Sequence, residues 1–168
     1  MIFLYIVGLV LFVSFGMIVF RGAPYVPTHR AQIATAFDEL YPLSDKDYVV
    51  DLGSGDGVVL RAAADRGARA LGYELNPVLV ALCWLRFRRD RHVQVCFIDY
   101  QYVTTLPRDA TVVYAFGTSL SIQRIARKLE QWSQDRTLYF ISYGFTLEDR
   151  KPLKRSGPMS LYRFDLRA

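Results

Sequence analysis

The chain has 168 residues, of which 52% are hydrophobic and 14% aromatic, and this composition excludes a disordered chain while the length suits one domain. Its two cysteines, Cys83 and Cys96, lack CxxC spacing, which excludes a disulfide framework and a structural zinc site of the usual kind. The formal net charge of +5 favours an anionic neighbour such as a lipid surface over a dedicated nucleic-acid mode.

Residues 1–20 carry no charged side chain. A helix of this length is roughly 30 Å long, which is enough to cross the hydrocarbon core of a bilayer. No basic region precedes the run and no small-residue cleavage site closes it, so a retained transmembrane anchor is favoured over a cleaved signal peptide. The first cations, Arg21, His29 and Arg30, follow the run. The positive-inside rule therefore predicts a single-pass membrane protein with residues 21–168 in the cytoplasm.

Residues 21–168 are expected to form one domain. Pro24 and Pro27 separate it from the preceding segment, and Thr28 is expected to cap a helix that Pro42 ends. The apolar positions of this helix recur at helical spacing and are Ile33, Ala36, Phe37 and Leu40.

Beyond Pro42, short apolar runs alternate with longer mixed segments. The expected strands cover residues 48–52, 69–73, 93–98, 111–116 and 137–143. The expected helices cover residues 57–66, 77–88 and 119–132. Near-continuous apolar strands separated by helices predict an α/β fold with a mostly parallel sheet covered on both faces. Gly157-Pro158 and the partly alternating run 161–166 predict a closing antiparallel hairpin.

The most specific motif is DLGSGDG at residues 51–57, directly after the first of these strands. Its glycines let the backbone turn tightly and approach a ligand closely. A dinucleotide fingerprint would need glycine at position 58, where this chain has Val58. Asp51 and Asp56 would repel a pyrophosphate and would suit a ligand that carries ammonium and sulfonium groups. The motif therefore predicts a site for a cationic nucleoside.

Two further carboxylates end the next two strands. Glu74 closes the second strand in GYELNP, and Asp99 closes the third in CFIDY. The carboxyl ends of adjacent parallel strands meet at one edge of the sheet, where a carboxylate can accept two hydrogen bonds from a ribose diol. We expect Glu74 to hold a ribose and Asp99 to meet an adenine amino group.

DLGSGDG followed by GYELNP, with PYVPT upstream, resembles the class I S-adenosylmethionine-dependent methyltransferases. Within them the chain is similar to the small membrane-anchored group that includes the ATP synthase c-subunit lysine methyltransferase and its prokaryotic relatives. The resemblance implies a Rossmann-like fold and S-adenosylmethionine as cofactor. No metal site is expected, because His29 and His92 are distant in sequence and have no carboxylate at metal-ligand spacing.

The same resemblance assigns Asp51, Gly53 and Gly55 to the methionine portion of the cofactor, Glu74 to the ribose and Asp99 to the adenine, and it makes Tyr25 and Thr28 a lid over the cofactor. The expected cofactor-binding residues are Tyr25, Thr28, Asp51, Gly53, Ser54, Gly55, Glu74, Asn76, Asp99 and Tyr100.

Aromatic residues leave the fourth and fifth strands at the edge where open α/β sheets bind ligands. We expect Tyr114, Phe116 and Tyr143 to line a channel for the methyl acceptor, with Phe145 as a further candidate. The alternative is that they are ordinary core aromatics. The fourth strand ends in YAFGTS, without the Asn-Pro-Pro-Tyr-type motif of amide and nucleobase methyltransferases.

The resemblance implies a protein-lysine N-methyltransferase that acts at or near the membrane on a protein with an accessible lysine, and not on nucleic acid. Two alternatives stay open: a methyltransferase for a lipid, quinone or other small apolar acceptor, and a non-catalytic membrane-tethered binding module. The basic run 86–91 is most simply a set of cations at a helix C-terminus, although it could also rest on lipid headgroups. The acceptor, the number of methyl groups and the oligomeric state stay open.

Overall fold

The structure is a computed structural model that describes residues 1–21 and 30–165. The first helix, α1 (Ile2–Arg21), covers the uncharged run. A membrane span needs about 20 predominantly apolar residues in one helix. Within the described residues, no helix meets the requirements of length and apolarity for crossing a bilayer. The predictions of a transmembrane helix and of a single-pass membrane protein with a cytoplasmic domain are therefore wrong.

Among the residues that the structure describes, seven strands form one sheet in the order β3-β2-β1-β4-β5-β7-β6. The strands are β1 (Tyr48–Leu52), β2 (Arg69–Glu74), β3 (Val93–Phe97), β4 (Val112–Phe116), β5 (Leu138–Tyr143), β6 (Lys154–Ser156) and β7 (Met159–Phe164). Strands β1 to β5 pair in parallel, whereas β7 runs antiparallel to both β5 and β6. The predicted parallel sheet with a C-terminal antiparallel hairpin is confirmed.

Four further α-helices in the described part of the chain cover the sheet. They are α2 (Arg30–Thr35), α3 (Val58–Ala64), α4 (Pro77–Phe87) and α5 (Ser119–Trp132). The helix predicted to run to Pro42 changes character on the way, because α2 passes into a π-helical turn over Ala36–Leu40. The Tyr41 amide closes this turn by donating to the carbonyl of Ala36, five residues back, at 2.9 Å. Thr28, the predicted cap, lies outside the described residues.

The two faces of the sheet carry different side chains, because side chains alternate along a strand. One face packs against α5 through Ile122, Ile125 and Leu129. The other face carries Val112, Tyr114 and Ile141 and is covered by α2, α3 and part of α4. By the same alternation Asp51, Glu74, Phe116 and Tyr143 belong to this second face. These four residues predicted for the site thus share one side of the sheet, whereas Tyr100 packs against the cluster on the α5 side.

A buried carboxylate ties the start of β1 to β4. Asp47 accepts hydrogen bonds from the Ser44 amide at 2.9 Å, the Ser44 hydroxyl at 2.8 Å, the Thr111 hydroxyl at 2.9 Å and the Tyr41 hydroxyl at 3.0 Å. Burial alone raises the pKa of Asp47, but these hydrogen bonds outweigh burial and hold the pKa below its ordinary value. The network fixes β1 beside β4, where the order of strands reverses and open α/β sheets form a ligand crevice.

Candidate functional site

The glycine loop leaves β1 in a conformation that depends on its glycines. Gly53, Gly55 and Gly57 have φ values of 100°, 54° and 79°, a region where side-chain-bearing residues are strained. The amides of Gly53 and Ser54 both donate to the carbonyl of Tyr73, at 2.9 and 3.0 Å. The loop is therefore fastened to the end of β2 by its backbone.

The side chain of Glu74, at the end of β2, also binds the glycine loop. Its Oε2 accepts from the Gly55 amide at 2.8 Å, and its Oε1 accepts from the amides of Leu75 at 2.9 Å and Asn76 at 2.8 Å. Glu74 is half-buried and sits on the same edge as the loop. Its carboxylate thus braces the loop after β1 against the turn after β2, a role that its position in GYELNP alone did not predict.

This bracing limits what else Glu74 can bind. An ionised carboxylate offers about four lone-pair positions. Three of them are filled by backbone amides, which leaves one on Oε2. Glu74 can accept one ribose hydroxyl as it stands, and the predicted pair of hydrogen bonds requires the Gly55 amide to release it.

Asp51 places a buried carboxyl group beneath the loop. The residue is only 2% exposed, and it is the register partner of Tyr114 across β1 and β4. Burial raises the pKa of Asp51 well above its ordinary value, and the negative charges of Glu74 and Asp56 raise it further. A cationic group bound here would relieve this cost, whereas a phosphate would increase it. The donor set therefore fits S-adenosylmethionine, which carries an ammonium and a sulfonium.

Helix α4 contacts the glycine loop through the side chains of Cys83 and Arg86. The Cys83 thiol donates to the carbonyl of Gly55 at 3.3 Å, and Arg86 pairs with the Asp56 carboxylate at 3.4 Å. Burial raises the pKa of the Cys83 thiol to about 11, so it stays a protonated donor. A Cβ on Gly57 would lie 2.5 Å from the Phe87 ring. Sequence reasoning missed the role of Arg86, because nothing in its spacing connects it to Asp56.

Ser54 and Gly72 meet where the loop crosses β2. The Ser54 hydroxyl is buried and has no hydrogen-bond partner among the described residues. A Cβ on Gly72 would lie 2.5 Å from that hydroxyl and 2.8 Å from Cδ1 of Leu60. Only glycine therefore lets the loop approach β2 this closely. An unsatisfied buried hydroxyl is uncommon in a native fold and is consistent with the predicted ligand contact.

The remaining predicted cofactor residues lie at the ends of β2 and β3. Asn76 uses its side-chain oxygen to cap α4, accepting from the amides of Val78 at 2.9 Å and Leu79 at 3.4 Å. Asp99 accepts from the Gln101 amide at 2.9 Å and so caps a 3₁₀ turn. Tyr100, within that turn, is half-buried. Contacts of these three residues with a cofactor stay a prediction.

Tyr25 and Thr28, predicted as a lid, lie outside the described residues.

The aromatic residues of β4 and β5 fall into two groups. Tyr114 is 1% exposed and packs edge-to-face on Phe37, with ring centroids 6.3 Å apart, as a core aromatic does. Phe116 and Tyr143 remain half-buried at the sheet edge with their rings 5.2 Å apart. The Tyr143 hydroxyl donates to the side-chain oxygen of Gln32 in α2. Sequence reasoning missed Gln32. The acceptor-channel role of Tyr114, Phe116 and Tyr143 stays a prediction.

Comparison with solved structures indicates the class of protein to which this fold and glycine loop belong. The fold matches an RNA methyltransferase from Salinibacter ruber in complex with S-adenosyl-L-homocysteine, with a TM-score of 0.72 and 26% identity over 83% of this chain and 92% of that one. Together with the glycine loop, this likeness identifies a class I S-adenosylmethionine-dependent methyltransferase.

Sequence comparison narrows the class to a family. Residues 51–154 match the ANTKMT methyltransferase domain, and the chain belongs to this family. The chain is 36% identical over 116 residues to the ATP synthase c-subunit lysine N-methyltransferase of Xenopus laevis, covering 67% of this chain and 49% of the relative. It is 36% identical over 109 residues to the adenine nucleotide translocase lysine N-methyltransferase of Mus musculus, covering 64% and 47%.

The chain thus spans about half the length of the curated relatives it matches. The predicted family, the enzyme class and S-adenosylmethionine as cofactor are confirmed.

Proposed function

We propose that the protein is an S-adenosylmethionine-dependent protein-lysine N-methyltransferase. The observation that carries the proposal is the family match over residues 51–154, because similar relatives are named lysine N-methyltransferases of the ATP synthase c-subunit and of adenine nucleotide translocase. Those two proteins are accordingly the first acceptors to test.

Three features of the chain would hold the cofactor. Asp51 offers a buried negative charge to its cationic groups, the glycine loop offers close backbone approach, and Glu74 offers one free acceptor position to a ribose hydroxyl. When bound, S-adenosylmethionine supplies an electrophilic methyl group on sulfur. The protein then has to align the acceptor with that methyl group, and such positioning can contribute up to about 7–11 kcal/mol of the barrier.

The acceptor side of the site has to favour an uncharged amine. A free lysine has a pKa of about 10.4, so it must lose a proton before its nitrogen can attack. Phe116 and Tyr143 lie at the sheet edge as half-buried aromatic walls, and a low-dielectric wall disfavours the ammonium form. A dedicated strong base is then not required for the reaction.

The test is methyl transfer from radiolabelled S-adenosylmethionine by the purified full chain. Acceptors are the ATP synthase c-subunit and adenine nucleotide translocase in detergent, together with a whole-cell extract. We expect label in protein that survives alkali and is released as methyl-lysine on acid hydrolysis. Label in lipid or in RNA would overturn the lysine assignment. Cofactor binding by calorimetry without transfer to any fraction would favour a binding module.

A further inference from the structure

We propose that Gln32 positions the acceptor amine through Tyr143, by holding the Tyr143 hydroxyl so that its oxygen accepts a hydrogen bond from the amine. This inference rests on the proposed lysine methylation and adds a residue that neither motif nor spacing indicates. Gln32 is a positioning residue here, because it acts on the acceptor only through Tyr143.

Helix α2 brings Gln32 to the sheet edge and fixes it there. Its neighbour Ile33 is fully buried, and Phe37 in the following turn is 1% exposed and packs on Tyr114. Gln32 itself is half-buried, and its side-chain oxygen accepts the Tyr143 proton across 111 residues of sequence. A contact this distant in sequence forms only when α2 is docked on the sheet.

Tyr143 is held at three points. Its ring packs on Phe116 at 5.2 Å, its hydroxyl is bound by Gln32, and the Gly144 amide that follows donates to the carbonyl of Pro158 at 2.8 Å. Gly144 has a φ of 91°, so the chain turns sharply after Tyr143. The hydroxyl therefore has one defined direction at the carboxyl end of β5.

That direction decides which hydrogen bond Tyr143 can make next. A phenol has one proton to donate and two lone pairs that accept. Because the hydroxyl proton of Tyr143 is donated to Gln32, the Tyr143 oxygen can only accept a hydrogen bond from a further ligand. A neutral primary amine meets it with an N–H and keeps its own lone pair free. An acceptor that carries neither an N–H nor an O–H group gains nothing from this arrangement, so the pair favours hydrogen-bond donors such as a neutral amine over an apolar acceptor.

Methyl transfer to the amine then forms one bond and breaks one. The amine nitrogen forms a bond to the methyl carbon as the carbon–sulfur bond breaks and leaves its electron pair on sulfur. The resulting ammonium releases its proton to solvent. Tyr143 is neither the acid nor the base of this step, and its hydrogen bond to Gln32 is kept.

The first experiment measures amine binding and does not depend on turnover. The probe is n-butylamine, a mimic of the lysine side chain, added at pH 9.5 to the full chain saturated with S-adenosyl-L-homocysteine and followed by saturation-transfer NMR. We expect Q32L and Y143F to bind the probe about 2- to 10-fold more weakly than the wild type. Q32E should bind like the wild type, because a carboxylate oxygen also accepts the Tyr143 proton. T35V is the matched control, since the Thr35 hydroxyl in the same helix donates to the carbonyl of Ala31, within α2 itself.

The second experiment compares kinetics on the labelled protein acceptor. We expect Q32L to lower kcat about tenfold with cofactor affinity unchanged, and Q32E to restore it. Equal probe binding and equal kcat in Q32L and wild type would overturn the inference. If circular dichroism shows that Q32L is unfolded, the test uses Y143F and Q32E instead. Y143F is suitable because it keeps the aromatic ring that packs on Phe116. A Gln32-dependent probe signal without transfer to any lysine would refute the proposed function while leaving the amine site standing.

Discussion

Replacing Asp51 by asparagine should make the protein more stable and at the same time a poorer binder of S-adenosylmethionine. Asp51 is 2% exposed, and the charges that act on it, Glu74 and Asp56, are both negative. Asparagine has nearly the same shape and removes the charge. The buried charge therefore costs stability without ligand and contributes affinity with it.

The expected change in cofactor affinity concerns the protein with bound cofactor, and the expected change in stability concerns the protein without it. A hydrogen bond to a charged partner contributes about 1.5–3 kcal/mol, so D51N should weaken cofactor binding by about 10- to 150-fold. Without ligand, removal of an unfavourable buried charge should raise stability by on the order of 1 kcal/mol, which is roughly 2–4 °C in Tm for a chain of this size.

The sign of the pH dependence provides a second check. The pKa of Asp51 is raised in the folded state, so the folded protein holds a proton that the unfolded chain releases above its ordinary value of 3.8. Wild-type stability is therefore lost relative to D51N as the pH rises from about 4 through the folded pKa. The advantage of D51N in Tm should be largest at pH 8 and should shrink toward pH 4.

The assay is thermal unfolding by circular dichroism between pH 4 and 8, with calorimetry for the cofactor. D65N is the matched control, because Asp65 is exposed, is not among the charges that raise the pKa of Asp51 and pairs with Arg61 at 3.9 Å, and an ion pair of this kind contributes only about 0–1 kcal/mol. A D51N protein that is less stable than the wild type at pH 8, or that binds cofactor equally well, would refute the electrostatic reasoning.

Three further predictions concern the loop and its frame. E74A should weaken cofactor binding by about 1.5–3 kcal/mol in calorimetry, because it removes the ribose acceptor and frees the Gly55 amide. G72A should lower the free energy of unfolding in urea by about 1–3 kcal/mol, since its methyl group would overlap the Ser54 hydroxyl. The pKa of Asp47 is lowered in the folded state, so D47N should destabilise at pH 7 by about 1–3 kcal/mol, and this difference should shrink as the pH falls from 3.8 through the lower pKa of the folded state.

Each of these has a control within the chain. G8A adds a methyl group that meets nothing within 4 Å and should leave stability unchanged or slightly higher. D45N changes an exposed carboxylate two residues from Asp47 and should have little effect. Unchanged cofactor affinity in folded E74A would show that the ribose lies elsewhere, and a G72A protein as stable as G8A would mean that the loop shifts freely over β2.

Much of the fold was predictable from local pattern. Strand β2, for example, was expected over residues 69–73 and is found at Arg69–Glu74, because a buried parallel strand shows as an apolar run ended by a polar residue. The glycine loop was predictable for the same reason, since left-handed conformations at Gly53, Gly55 and Gly57 need glycine. The membrane span was inferred from uncharged length alone, and that inference was wrong.

Contacts between distant residues were not predictable. The hydrogen bond from Tyr143 to Gln32 and the bond from the Gly55 amide to Glu74 join separate elements, and no sequence spacing encodes them. Alternation placed Tyr114 and Phe116 on one face but did not distinguish them. The docking of α2 buries the first and leaves the second half-exposed, so which aromatic can meet an acceptor depends on packing.

The hydrogen bonds that backbone amides donate to Glu74 also bear on the release of the demethylated product, S-adenosyl-L-homocysteine. They are made within the protein, and the ribose position proposed at Glu74 would meet the adenosine portion that donor and demethylated product have in common. What distinguishes donor from product is one formal charge on sulfur, and Asp51 is the buried group suited to sense it. We therefore expect release of the product to depend chiefly on a weakened attraction to the Asp51 carboxylate, with the contacts around Glu74 unchanged.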